Sequence, residues 1–164
     1  TYNLAVHVSS ITACMIFPFT ALGAIGSAAI DRHRSDAERD HLTGLPNRRG
    51  FEKALERRFG DSIPPGIALL FDIDRFKRIN DTYGHTIGDR AIVMLADVLK
   101  QTVDASGHVA RAGGEEFIAY PPAMADTDGM VIANRTRVAF EQSDWAALVM
   151  AQTVTASGVL ATVT

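Results

Sequence analysis

The chain has 164 residues, with sixteen Lys and Arg against nineteen Asp and Glu, for a net charge of −3. That length suits one domain with a real hydrophobic core, and the charge balance excludes a basic nucleic-acid coat. A composition 47% hydrophobic and 21% charged excludes a disordered chain, and the single Cys14 excludes an internal disulfide or an all-Cys metal site. The average hides an asymmetry, because no Asp, Glu, Lys or Arg occurs in residues 1–30. The first residue is Thr1 rather than Met, as expected of a fragment or a processed form.

Leu4 to Ile30 is an uncharged run. It exceeds the roughly 20 residues that carry a helix across a bilayer, and the about 7–15 of a signal peptide's apolar region. Pro18 would kink a helix there, and Gly23, Ala24, Ser27 and Ala28 set small residues together, as helix contacts in lipid often do. A transmembrane helix is expected over residues 1–30, held in a lipid bilayer through residues 4–30. Arg32, Arg34 and Arg39 follow it, so the positive-inside rule puts the C-terminal side in the cytoplasm. His7 and Cys14 have no ligand partners nearby and read as ordinary membrane residues.

Residues 31–41 are polar and free of Gly and Pro, as suits a helical linker out of the membrane. Gly44 and Pro46 then stop the helix. Phe51, Leu55 and Phe59 recur at helical spacing among charged residues, and Pro64-Pro65-Gly66 ends that element. Ile67 to Phe71 is a continuous apolar run, the pattern of a buried strand. A short helix over Arg75 to Asn80 and an amphipathic one over Ala91 to Leu99 come next. Val109 to Arg111 and Phe117 to Tyr120 read as strands joined by a Gly113-Gly114 hairpin turn. Asp126 to Phe140 reads as a helix, and Leu148 to Val163, uncharged and rich in Val and Thr, as one or two strands. This order predicts an α+β layer, with helices on one face of a mainly antiparallel sheet.

Two acidic spots stand at special places. Asp72-Ile73-Asp74 ends the buried strand, and Glu115-Glu116 follows the Gly113-Gly114 turn. If the strands are neighbours, carboxylates from both meet at one sheet edge, a set of hard oxygens that suits Mg²⁺ with substrate phosphates. The helix after Asp74 offers free N–H groups beside Lys77, a natural phosphate site. Gly113 and Gly114 let a ligand approach the backbone closely. Asn80, Asp81, His85 and Asp89 add polar groups, and Asn with Asp presents the donors and acceptors a guanine edge requires.

Four segments in order carry a family resemblance. They are Asp40 to Arg48 (DHLTGLPNR), Phe71 to Asp81 (FDIDRFKRIND), Gly84-His85 with Gly88-Asp89, and Gly113 to Phe117 (GGEEF). Together they strongly resemble the GGDEF family of bacterial diguanylate cyclases, from about Asp40 to Val159. The resemblance implies a fold like the nucleotide-cyclase palm and a nucleotidyltransferase that condenses two GTP into cyclic di-GMP and two pyrophosphates. It implies that Asp72, the Ile73 carbonyl and Glu115 hold metal, that Glu115 helps activate the 3′-hydroxyl, and that the acid Glu116 lies near. It implies guanine recognition by Asn80 and Asp89, a substrate-side His85, and a phosphate cradle of backbone amides around Arg75 and Phe76 with Lys77. Two Mg²⁺ per site are expected, with Mn²⁺ as the alternative ion.

The product is two-fold symmetric, so each GTP must attack the other's α-phosphate. The implied assembly is a homodimer with facing sites, at the bacterial inner membrane, with the catalytic domain over residues 42–164 in the cytoplasm. Nucleic acid is not an expected partner. The family pattern continues past Thr153 to Val159 into a helix with Lys and Arg, so the domain is expected to be truncated at its C-terminal end. The family's product-inhibition motif, Arg-x-x-Asp five residues before the Gly pair, falls on Asp104-Ala105-Ser106-Gly107, so no allosteric product site is expected. The alternative reading is a catalytically silent GTP- or cyclic di-GMP-binding signalling module. A cyclase making a mononucleotide is disfavoured by the Gly-Gly-Glu-Glu-Phe hairpin.

Overall fold

The computed structural model describes residues 37–60, 62–103, 107–121, 126–148, 150 and 153–163. The chain divides into two units, Thr1–Ala37 and Glu38–Thr164. The membrane helix expected over residues 1–30 lies outside the described residues, as do residues 31–36 of the linker. Among the described residues, no helix is long and apolar enough to cross a membrane.

Helix α1 (Arg48–Phe59) starts where Asn47 caps it, its side chain accepting from the Gly50 amide at 2.9 Å. It ends at Gly60, whose positive φ of 65° stops the helix. Strand β1 (Gly66–Ile73) leads into α2 (Phe76–Tyr83) and α3 (His85–Thr102). The hairpin β2 (His108–Gly113) and β3 (Glu116–Tyr120) follows, then α4 (Asp126–Glu141), a short 3₁₀ turn (Ala146–Leu148) and β4 (Ala156–Val163). The expected element order holds. The segment from Leu148 yields one strand, because only its second half pairs with β1.

The four strands lie in the order β2-β3-β1-β4, all pairs antiparallel. The apolar run of β1 alternates. Ile67, Leu69, Phe71 and Ile73 are buried in one core with Phe117 and Ala119 of β3, Leu95 and Leu99 of α3, and Phe140 of α4. The opposite face holds a second, smaller cluster, in which Phe51 and Leu55 of α1 meet Ala110 and Tyr120. Helices therefore flank both faces, which corrects the expectation of helices on one face alone. An alternating sheet presents residues 118 and 120 opposite to 117 and 119, and those side chains need their own cover.

Residues 37–41 are turn and bridge, so this end of the expected helical linker is not helical. The backbone there is spoken for. Asn47 donates to the Glu38 carbonyl at 2.9 Å and Asp40 to that of Leu45 at 2.8 Å. The side chain of Glu38 takes Lys53 at 2.6 Å and Arg57 at 3.0 Å from α1. The packed domain thus reaches back to Glu38, four residues ahead of the expected boundary at residue 42.

Candidate active site

The pairing of β1 with β3 puts Asp72 directly opposite Glu116. Glu115 sits in the intervening turn, where Gly114 takes φ +48° and a Cβ at Gly113 or Gly114 would meet nothing within 4 Å. The carboxylates predicted from the two motifs are thus brought to one sheet edge, under an open turn. Like charges placed opposite each other on neighbouring strands repel. The Asp72 carboxyl is accordingly held above its ordinary range, first by burial, then by the charges of Glu115, Glu116 and Asp74, with a bond from the Ile73 backbone acting the other way.

A divalent cation is the chemistry that would relieve this. Among the described residues no three His, Cys, Asp or Glu side chains form a metal cluster by themselves. The donors that the sequence motifs predict are two carboxylates, Asp72 and Glu115, plus the carbonyl of Ile73. That set fits Mg²⁺, which keeps water and phosphate oxygens in its remaining positions.

The turn after β1 is closed by Arg75 at φ 57°, ψ 35°, and no side chain caps the first turn of α2. The amides of Phe76 and Lys77 thus lead an uncapped helix end, where partial positive charge favours phosphate. Arg75 and Lys77 are exposed beside it, while Phe76 packs on the core. On the α3 side of α2, the Asn80 Oδ1 is buried and without a partner. A Cβ at Gly88 would collide with that oxygen and touch Phe76 Cζ. Glycine at 88 is what lets the two helices close around Asn80. Asp89, the next residue, and His85, one turn earlier, are both exposed on α3.

Two features escaped sequence reasoning. The first is an ion pair 71 residues long in sequence. Arg111 Nη1 donates to both oxygens of Asp40 at 3.0 Å, and its Nε donates to the Gly114 carbonyl at 2.8 Å. Asp40 also accepts from the Thr43 amide at 2.9 Å and hydroxyl at 2.7 Å. Burial opposes its charge, but the Thr43 hydroxyl and amide together with Arg111 prevail and hold the carboxyl below its ordinary range. The second is a cavity of about 580 Å³ between α2 and the segment before β4, reached by Arg75, Arg78, Thr82 and Thr155. On α2 the cavity is lined by Arg78, Ile79, Thr82 and Tyr83 and not by Asn80.

Comparison with known proteins decides the family. Residues 37–162 match the model for the diguanylate cyclase GGDEF domain. The chain belongs to the GGDEF family. It is 40% identical over 114 residues to the diguanylate cyclase DgcP of Pseudomonas aeruginosa, covering 67% of this chain and 17% of that protein. It is 43% identical over 112 residues to the response regulator PleD of Caulobacter vibrioides, covering 66% of this chain and 25% of that one. The chain thus spans a quarter or less of the length of these two curated relatives. Among solved structures, the coiled coil and GGDEF domain of DgcB from Caulobacter crescentus, in complex with c-di-GMP, superposes with a TM-score of 0.80. That match is 26% identical and covers 92% of this chain and 82% of that one. GGDEF domains bind GTP and often dimerise, and diguanylate cyclases of the family use divalent metal ions. The four-stranded antiparallel sheet flanked by helices is the GGDEF fold.

Proposed function

We propose that this protein is a diguanylate cyclase, condensing two GTP into cyclic di-GMP with release of two pyrophosphates. The observation that carries the reading is the convergence of Asp72, Glu115 and Glu116 at one sheet edge, with the Asp72 carboxyl pushed up by its neighbours. Two Mg²⁺, or Mn²⁺ in their place, would neutralise charge at the α-phosphate and lower the pKa of the attacking 3′-hydroxyl. Asp72, Glu115 and the Ile73 carbonyl would hold them. Glu115 would help activate that hydroxyl, with the acid Glu116 near the metals. The amides of Phe76 and Lys77, next to Arg75, would receive the β- and γ-phosphates, with the Lys77 ammonium near. The open Gly113-Gly114 turn gives the ribose and α-phosphate room at the backbone.

Base selection falls to Asn80 and Asp89, with His85 on the substrate side. Asn80 and Asp89 together would offer the donors and acceptors that a guanine edge requires, a pattern that adenine does not match. Each GTP attacks the α-phosphate of the other, so two copies face each other in a homodimer. The uncharged run at residues 4–30 would anchor the chain in the inner membrane and set the approach of the two cytoplasmic domains. Incubating the full chain with GTP and Mg²⁺ and identifying the product tests the reading. Cyclic di-GMP plus pyrophosphate is expected, and a mononucleotide product, or GTP left unchanged, would overturn it.

A further inference from the structure

The turn that joins β1 to α2 is held in an unfavourable backbone conformation. Among the described residues, Arg75 is the only non-glycine with positive φ, at 57°. L side chains avoid this region because Cβ crowds the following carbonyl. Such a conformation persists only where the surroundings over-determine it. Here the residue before it is tied down three times, always to Thr155 and Ser157 at the start of β4. The Asp74 amide donates to the Thr155 carbonyl at 2.9 Å. Its Oδ2 accepts from the Thr155 hydroxyl at 2.5 Å, and its Oδ1 from the Ser157 hydroxyl at 2.5 Å.

The register explains why these residue types stand there. Ser157 pairs with Asp72 across the strands, and Thr155 lies just past the last pair, Ile73 with Ala156. Residues two apart on a strand share a face, so the hydroxyls of Thr155 and Ser157 point the same way. Both carboxylate oxygens of Asp74 are taken by short charge-assisted bonds. Asp72, by contrast, carries the burden of Glu115 and Glu116.

We propose that Asp74 is a positioning residue rather than a metal ligand: gripped by Thr155 and Ser157, it forces Arg75 into the left-handed region and so aims the first amides of α2 at the nucleotide phosphates. The phosphate half of this inference rests on the cyclase reading above, and the clamp itself does not.

The test uses the full chain and the variants Asp74→Asn, Thr155→Val, Thr155→Ser and Ser157→Ala, each alone and combined with Arg75→Gly. Glycine adopts positive φ without strain, so it makes the clamp dispensable. Titration with a non-hydrolysable GTP analogue at saturating Mg²⁺ should weaken about tenfold for Asp74→Asn and Thr155→Val. KM should rise in step, kcat should fall far less, and the half-saturating Mg²⁺ concentration should stay the same. Thr155→Ser, which keeps the hydroxyl, should retain affinity, and in an Arg75→Gly background each clamp variant should bind the analogue as the Arg75→Gly single variant does, whatever that variant itself loses with its guanidinium. A purely structural role would lower the melting temperature without this split and without rescue by glycine. In the nucleotide-free protein, the strong amide-to-Hα Overhauser contact of Arg75 that marks positive φ should fade in the clamp variants. Its persistence in all of them overturns the clamp, whatever the chain catalyses. Unchanged affinity for the analogue with a raised Mg²⁺ requirement in Asp74→Asn makes Asp74 a metal ligand and also overturns it. A wild-type chain that ignores the analogue sinks the phosphate half and the cyclase reading together.

Discussion

Asp72 stands opposite Glu116 on adjacent strands, with Glu115 in the turn and Asp74 two residues on. Burial and these charges raise its pKa in the folded state. A raised carboxyl binds its proton more tightly folded than unfolded, so stability falls as pH rises past the unfolded value of about 3.9 and through the folded one. At neutral pH and without metal, ionised Asp72 therefore works against the fold, by a small amount because the residue is exposed. Asp72→Asn should then melt slightly higher than wild type in chelator at pH 7, yet lose turnover. Mg²⁺ should raise the melting temperature of wild type and leave the variant unmoved. A variant less stable than wild type in chelator would contradict this account. Glu115→Gln should likewise abolish turnover with the fold intact, read by product formation and circular dichroism. Gly88→Ala tests the base recess, because the added Cβ must displace Asn80 Oδ1. GTP affinity should drop tenfold or more and discrimination against ATP should narrow. Full retention of both would remove Asn80 from base recognition.

At the scale of elements, the turn ahead of α1 and the β2–β3 hairpin are joined by Asp40 and Arg111, whose side chains are 22% and 14% exposed. Arg111 spans the gap with a fork, taking Asp40 on one side and the Gly114 carbonyl on the other. The geometry calls for a planar guanidinium, which Lys does not supply. Arg111→Lys should cost on the order of 2 kcal/mol of stability, typical of charged hydrogen bonds lost at a half-buried site. It should also slow turnover, since the turn that presents Glu115 loses its tie. The lowered carboxyl of Asp40 gives the pH dependence its sign. The stabilisation is present above the unfolded pKa and fades as pH falls through the folded value. The difference in melting temperature between wild type and Arg111→Lys should therefore shrink in acid, below about pH 4. A difference constant from pH 7 to acid would show that Asp40 is not the partner that matters.

For the whole molecule, the proposed chemistry between two GTP held on two chains would make turnover depend on encounter. Activity per chain should rise with protein concentration until dimers saturate, as rate measurements across dilution would reveal. Flat specific activity down to the lowest concentrations would argue against facing sites on two copies. Residues 104–106 lie outside the described residues, and the sequence there offers Asp104 where product phosphates would need a guanidinium fork. Added cyclic di-GMP should therefore give no non-competitive inhibition. Strong inhibition that vanishes when residues 104–107 are replaced would refute that.

Local chemistry in the sequence determined the elements and drew the outline of the candidate site. The helical spacing of Phe51, Leu55 and Phe59, the apolar run ending at Asp72 and the Gly113-Gly114 turn each act over a few residues. Such patterns are legible without a partner. The acids at the strand end and after the hairpin were legible for the same reason, and so was the family. The tertiary structure alone decided what depends on distant pairing. It set β4 beside β1, placed α1 on the second face, and tied Asp40 to Arg111 across 71 residues. It also showed that Asp72 and Asp74, alike in sequence, differ in their surroundings. One faces the glutamates, and the other is held by Thr155 and Ser157. Those two hydroxyls look like ordinary strand residues until the register sets them against a carboxylate more than 80 positions away. A local pattern specifies which face a side chain takes, while the long-range fold specifies what it meets there.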